Sequence, residues 1–197
     1  MSGVRVKIRI AGSGGQGVIL AAVALAEAAG VHDGRFVAQT QSYGPEARGG
    51  NCKAEVVISN EEIDYPKAKN LDILMALNQD SLDEYLCDLK PDGVLIVNSD
   101  HCRRAPAGAA HRIPMTTLAR EKAGTPQAMN MLAVGALAGV TGLVSAAAVR
   151  GAVKARAPKG TEEVNLKAAN IGLREGKKAA AAMKRKPPEK FSRLLKE

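Results

Sequence analysis

Residues 4–10 (Val-Arg-Val-Lys-Ile-Arg-Ile) alternate apolar and charged side chains and run directly into glycines at 12, 14, 15 and 17. An Ala/Val/Leu-rich stretch follows as far as Ala29, with the composition of a helix. Strand, tight turn and helix in that order commit this end of the chain to an α/β unit. Glycine admits positive φ and carries no Cβ, so the amides that open the helix can face an anion, helped by the helix dipole. Gly12, Gly14, Gly15, Gln16 and Gly17 are therefore candidate anion-binding residues.

Gly12, Gly14 and Gly17 also fit the dinucleotide fingerprint, which asks for an acidic residue about 20 positions further on to hold a ribose hydroxyl. The second strand, read over residues 34–40, leads into Gln39, Thr40 and Gln41, and the nearest acid, Asp33, precedes it. That argues against a nicotinamide or flavin. A plainer reading, that the glycines only let helix and sheet pack closely, stays open.

Residues 39–50 read as a long polar loop punctuated by Gly44-Pro45 and Gly49-Gly50. In an open α/β sheet, loops at the carboxyl ends of strands form the ligand crevice, so this loop is expected to face the glycine turn. It would bring Ser42, Tyr43, Glu46 and Arg48 to one site. Arg48 suits a phosphate or carboxylate because its planar fork bonds two oxygens at once. Pairing with Glu46 or with another subunit is an equal alternative.

The remaining strands are expected at residues 54–59, 71–77 and 94–98, with a short helix over 81–89 capped by Ser81. Residues 123–149 carry no charge, but Gly139, Gly142 and Ser145 break the run into two buried helices rather than a membrane span. Gly135 and Gly139 would let such helices approach a neighbour closely. A further helix starts at Thr161, read as its cap. The fold class expected is an α/β, Rossmann-like open, mostly parallel sheet with helices on both faces and additional C-terminal helices. Residues 1–183 form one domain in this reading. Residues 184–197, basic and holding Pro187-Pro188, form a flexible or partner-bound tail.

The net charge of +8 resembles a nucleic-acid signal until it is divided along the chain. Residues 1–149 carry 14 basic and 15 acidic groups, and residues 150–197 carry 14 and 5. The excess sits at the C-terminal end, as a solvated face or a surface for an acidic partner. Aromatic content of 3% leaves little to stack on bases, so nucleic acid is not expected as a partner. Cys52, Cys87 and Cys102 are too widely spaced for a disulfide framework or a metal cage. His32, His101 and His111 read as surface residues without partners. With no secretory leader visible at the start, a reducing cytoplasm is the expected setting. No nucleophile-base motif, metal-binding motif or cofactor motif with its own chemistry occurs.

Several segments together carry a family resemblance: Gly12-Ser-Gly-Gly-Gln-Gly-Val18, Ser42-Tyr-Gly-Pro-Glu-Ala-Arg-Gly-Gly50, Ala54-Glu-Val-Val-Ile-Ser59, residues 72–77 and residues 130–142. In order and spacing the chain resembles the gamma subunit of 2-oxoacid:ferredoxin oxidoreductases over roughly residues 4–180. Ser42-Tyr43-Gly44-Pro45-Glu46 before Arg48-Gly49-Gly50 is more similar to the 2-oxoglutarate branch than to the pyruvate or indolepyruvate branches. The resemblance implies a complex that decarboxylates a 2-oxoacid, makes an acyl-CoA (succinyl-CoA for 2-oxoglutarate) and CO2, and reduces ferredoxin. Alpha, beta and ferredoxin-like delta subunits would hold thiamine diphosphate, Mg and iron-sulfur clusters. The present chain would not be catalytic alone, and its glycine turn, Ser42, Tyr43 and Arg48 would contact coenzyme A. The alternatives are a free-standing nucleotide- or coenzyme A-binding module and a purely structural subunit.

Overall fold

A computed structural model of the chain describes residues 3–43, 50–183 and 188–196. Six strands, β1 (Arg5–Ser13), β2 (Phe36–Tyr43), β3 (Asn51–Ser59), β4 (Leu71–Ala76), β5 (Leu89–Asn98) and β6 (Ala110–Ile113), form one sheet in the order β2-β3-β1-β4-β5-β6. The pairs β1-β4, β4-β5 and β5-β6 are parallel. β3 lies antiparallel to both β1 and β2, so the sheet is mixed rather than uniformly parallel. The sheet is mostly parallel as expected, and its two antiparallel pairs come from β2 and β3, which form a hairpin. β2 ends three residues later than the sequence suggested, so Ser42 and Tyr43 end a strand instead of opening a loop.

The two faces of the sheet are covered unequally. Ile8, Ile10, Ala54, Val56, Ile58, Ile73, Met75 and Ile96 point to the larger core. Above them lie α1 (Val18–Glu27), α4 (Met129–Thr141), α5 (Ala146–Arg156) and α6 (Glu162–Ala182). The opposite face buries Ala11, Val57, Leu74, Leu95 and Val97 beneath α2 (Gln79–Tyr85), which supplies Leu82 and Tyr85. The short α3 (Met115–Leu118) follows β6. No helix among the described residues is long and apolar enough to cross a membrane.

Local signals set most helix ends. Ser145 Oγ accepts from the Ala148 amide at 3.0 Å and caps α5. Asp33 in turn accepts from the Ser145 amide (2.8 Å) and hydroxyl (2.7 Å), which ties the end of the first βα unit to α5. The cap of α2 is Asn78, whose Oδ1 accepts from the Ser81 amide at 3.0 Å; Ser81 is inside the helix and buried. Thr161 stands at the start of α6, but its hydroxyl donates to the Pro158 carbonyl at 2.7 Å instead of capping.

α7 (Glu189–Lys196) departs most from the expected tail. Phe191 and Leu194 are buried in the larger core, and Lys190 Nζ lies 2.5 Å from the buried Asp72 carboxylate at the start of β4. Asp72 also receives Lys90 Nζ at 2.6 Å and the Lys7 amide at 2.8 Å. Burial of two large side chains at i, i+3 is worth about 1.5–3 kcal/mol each, enough to hold a short, mostly polar helix.

His111, expected at the surface, is buried on β6 with Nδ1 3.3 Å from the Ala179 carbonyl. Burial lowers its proton affinity, against a smaller restoring effect of that carbonyl. The unfolded chain therefore takes up a proton below about pH 6.5 that the folded chain resists, so stability falls as pH drops below that value. Urea midpoints measured between pH 7.5 and 5.5 are expected to decline, and His111→Leu should flatten the decline. An identical slope in the variant would remove His111 from the explanation.

Candidate functional site

β1 ends at Ser13, and the glycine turn reverses the chain into α1 through its own hydrogen bonds. The Ser13 amide donates to Gln16 Oε1 at 2.8 Å, the Gln16 amide to the Ser13 carbonyl at 3.2 Å, and the Gly14 amide to the Gly50 carbonyl at 3.0 Å. Gln16 Nε2 reaches the Leu77 carbonyl beyond β4 at 3.5 Å. These bonds use the inner amides of the turn, so any anion must be met by the start of α1. Gly17 sits at the N-cap with φ of 73° and no side-chain cap, which leaves the first-turn amides without a side-chain acceptor.

The glycines divide between the two readings left open by the sequence. A Cβ on Gly12 would come 2.4 Å from Gln16 Oε1 and 3.0 Å from Leu77 Cβ, and one on Gly17 would come 2.5 Å from Asn130 Nδ2. Those two positions are set by packing. Gly15, with φ of 89°, has nothing within 4 Å of an added Cβ and faces open space. With Gln16 it borders a cleft of about 310 Å³ whose other walls are His101, Thr116, Gln127 and Met129. Helix amides, a carboxamide, a hydroxyl and an imidazole together suit a phosphate or carboxylate.

The second group of expected residues is only partly brought to this point. The hydrogen bond from Gly14 to Gly50 joins the turn to the residue that precedes β3. Arg48, with Gly44, Pro45 and Glu46, lies outside the described residues. Tyr43 pairs in register with Cys52 at the end of β2. Ser42 lies across from Lys53 and lines a different cleft, on the face away from α1. Side chains alternate along a strand, so extending β2 through Ser42 decides which face it serves.

Three features were missed from sequence. His101 and Gln127 reach the cleft from the segments after β5 and before α4, and no local pattern marks them. A polar array links Asn78 Nδ2 to Ser13 Oγ at 2.6 Å at the end of β1. Arg9 is buried on the face away from α1, bonded to Glu55 (2.6 Å) and Asp88 and lying 4.8 Å over the Tyr85 ring. Arg9 is one of three charges that alternate along β1, and nothing local separates it from Arg5 and Lys7.

No serine, threonine or cysteine among the described residues is hydrogen-bonded to a histidine, and burial pushes the Cys102 thiol up to about 11. No group of three or more His, Cys, Asp or Glu among the described residues could hold a metal ion, so these residues do not fit an iron-sulfur cluster. Asp33 is engaged with Ser145, away from the ribose position of a dinucleotide fold.

Comparison with known proteins places this geometry in a family. The family model for pyruvate ferredoxin/flavodoxin oxidoreductase matches residues 7–175. The 2-oxoglutarate synthase subunit KorC of Methanothermobacter thermautotrophicus is 49% identical over 177 residues, covering 86% of this chain and 94% of the relative. The gamma subunit of a keto/oxoacid ferredoxin oxidoreductase from Geobacter sulfurreducens superposes with a TM-score of 0.80 at 41% identity, over 89% of this chain and 98% of that one. The 2-oxoglutarate:ferredoxin oxidoreductase of Magnetococcus marinus, solved with 2-oxoglutarate, coenzyme A and succinyl-CoA bound, gives a TM-score of 0.79 at 25% identity. That match covers 93% of this chain and 32% of the longer Magnetococcus chain. With an oxidoreductase gamma-type fold, a matching family model and a relative of nearly equal length, this chain belongs to the pyruvate ferredoxin/flavodoxin oxidoreductase family.

Proposed function

We propose that the chain is the gamma subunit of a multisubunit 2-oxoglutarate:ferredoxin oxidoreductase, which converts 2-oxoglutarate and coenzyme A to succinyl-CoA and CO2 and passes electrons to ferredoxin. The observation that carries the substrate assignment is the 49% identity to KorC along nearly the whole of both chains. Thiamine diphosphate with Mg, and iron-sulfur clusters, supply decarboxylation and electron transfer from alpha, beta and delta partner subunits. The contribution of this chain is binding and assembly in the cytoplasm, with no catalytic residue of its own.

Within that role, Gly15 and Gln16 beside the start of α1 and the loop carrying Arg48 contact the phosphates of coenzyme A, while Gly12, Gly14 and Gly17 shape the turn and Ser42 and Tyr43 lie at the base of the loop. The uncapped start of α1 and the open space at Gly15 support this placement. Arg48→Ala is expected to raise the KM for coenzyme A about 10- to 100-fold with kcat little changed. That range corresponds to one lost charge-assisted hydrogen bond, about 1.5–3 kcal/mol. An unchanged KM in an intact complex would remove Arg48 from the site.

The assignment itself is tested by pulling down the tagged chain and assaying viologen reduction with 2-oxoglutarate, pyruvate and indolepyruvate in turn. Preference for 2-oxoglutarate by a brown, thiamine-dependent complex is the expected result. Turnover by the purified chain alone, or a tightly held nicotinamide or flavin, would overturn it.

A further inference from the structure

A second cleft, sharing no residue with the one beside the glycine turn, opens on the opposite face of the sheet, where α2 packs on β1 and β4. Its volume is about 450 Å³, within the range of small-molecule sites. One wall is the edge strand β2, through Thr40 and Ser42; the floor is β3 and β1; the far wall is the 66–69 segment.

The far wall is fastened to the floor. The Ala68 amide donates to Glu55 Oε2 at 3.2 Å, Arg9 Nη2 donates to the Ala68 carbonyl at 3.4 Å, and Lys7 Nζ donates to the Lys69 carbonyl at 3.1 Å. Asn70, at the end of this wall, has φ of 55°, the one positive φ outside glycine among the described residues. The cleft is thus a held concavity and not a gap between loose loops.

Its charge is unbalanced. Arg9 in the floor meets two carboxylates, Glu55 and Asp88, so the floor carries one surplus negative charge. Against it stand Lys53, Lys67 and Lys69, none of which has a carboxylate partner among the described residues. The Lys53 ammonium is positioned 4.9 Å from the Tyr85 ring centroid. Two positive charges remain, in a recess with hydroxyl groups along one side.

We infer that this cleft is a second anion site that takes a dianionic, phosphate-bearing small molecule, with Lys53, Lys67 and Lys69 supplying the charge. The phosphate could belong to coenzyme A itself or to a separate phosphorylated compound; the chemistry of recognition is the same, and the test separates the two. The inference stands independently of the glycine-turn assignment.

The full-length chain is titrated calorimetrically with sodium pyrophosphate and, separately, with coenzyme A. The double variant K67E/K69E, on an exposed wall, should weaken pyrophosphate binding at least tenfold with an unchanged melting temperature. Lys53→Met, which keeps an apolar stem over Tyr85, should weaken it several-fold. The control Lys167→Glu, exposed on α6 and lining neither cleft, should leave it unchanged. A parallel loss of coenzyme A affinity in K67E/K69E would identify the phosphate as that of coenzyme A. Loss of pyrophosphate binding alone would identify a separate ligand. No pyrophosphate binding at millimolar concentration, or equal binding by wild type and K67E/K69E, overturns the inference. If His101→Ala, in the other cleft, rather than K67E/K69E weakens binding, the anion sits at the glycine turn and the second site is likewise ruled out.

Discussion

Arg9→Met is expected to destabilise the fold by about 3–5 kcal/mol, the range for removing one partner of a buried ion pair. Arg9 is 5% exposed and its guanidinium bonds Glu55, Asp88 and the Ala68 carbonyl at once. Without it, Glu55 keeps a negative charge in a pocket that is 12% exposed and has lost its counterion. Asp88, at 46%, can turn to water, so most of the penalty falls on Glu55. Lysine would restore the charge but not the fork that reaches several acceptors. Urea titrations of R9M, E55Q and the double variant decide the matter: the double should recover a large part of the loss in R9M. A cost below about 1 kcal/mol for R9M would show that the cluster contributes no more than an exposed salt bridge.

Gly172→Ala is expected to cost about 2 kcal/mol and lower the melting temperature by about 4–8 °C. A Cβ at Gly172 would lie 2.0 Å from the Leu132 carbonyl oxygen and 2.8 Å from the Ala136 amide nitrogen. The same crowding recurs at Gly135, 2.1 Å from the Ala169 carbonyl oxygen, at Gly139, 2.4 Å from that of Leu173, and at Gly176, 2.3 Å from that of Ala136. These obstacles are backbone, which cannot swing aside, so α4 and α6 must separate along their whole contact. Alanine is the better helix former by about 1 kcal/mol, and overpacking of about 3 kcal/mol outweighs it. Gly30→Ala is the contrast, since its added Cβ meets nothing closer than 3.4 Å. Equal melting temperatures for G172A and wild type would show that the two helices do not approach as described.

What could be read from the sequence depended on whether the signal was local. The first strand, turn and helix were legible because alternation, glycine and an apolar run follow one another within 26 residues, 4–29. Close approach by Gly135 and Gly139 was legible because small residues four apart share one face of a helix. The partners across that contact, Gly172 and Gly176, were not singled out, because they lie in a mostly polar helix. The end of β2 was misread because β2 is an edge strand whose Thr40 and Ser42 face a wet cleft. Its polar end therefore looked like loop. His111 and Arg9 were hidden by the opposite difficulty: each is polar, and burial depends on what the fold places over it. The glycine half of the candidate site was visible, while His101 and Gln127 are joined to it only by topology.

The docking of α7 has a consequence for how the protein is made. Phe191 and Leu194 fill positions in a core otherwise built by residue 173, and Lys190 closes on Asp72, more than a hundred residues earlier. During translation the sheet and its covering helices therefore emerge before the plug that seals them, and the seat of Phe191 stays open as an apolar notch on the nascent chain. A chain that has lost α7 would present that notch to chaperones and proteases, so retention of residues 189–196 governs how the rest of the domain is handled.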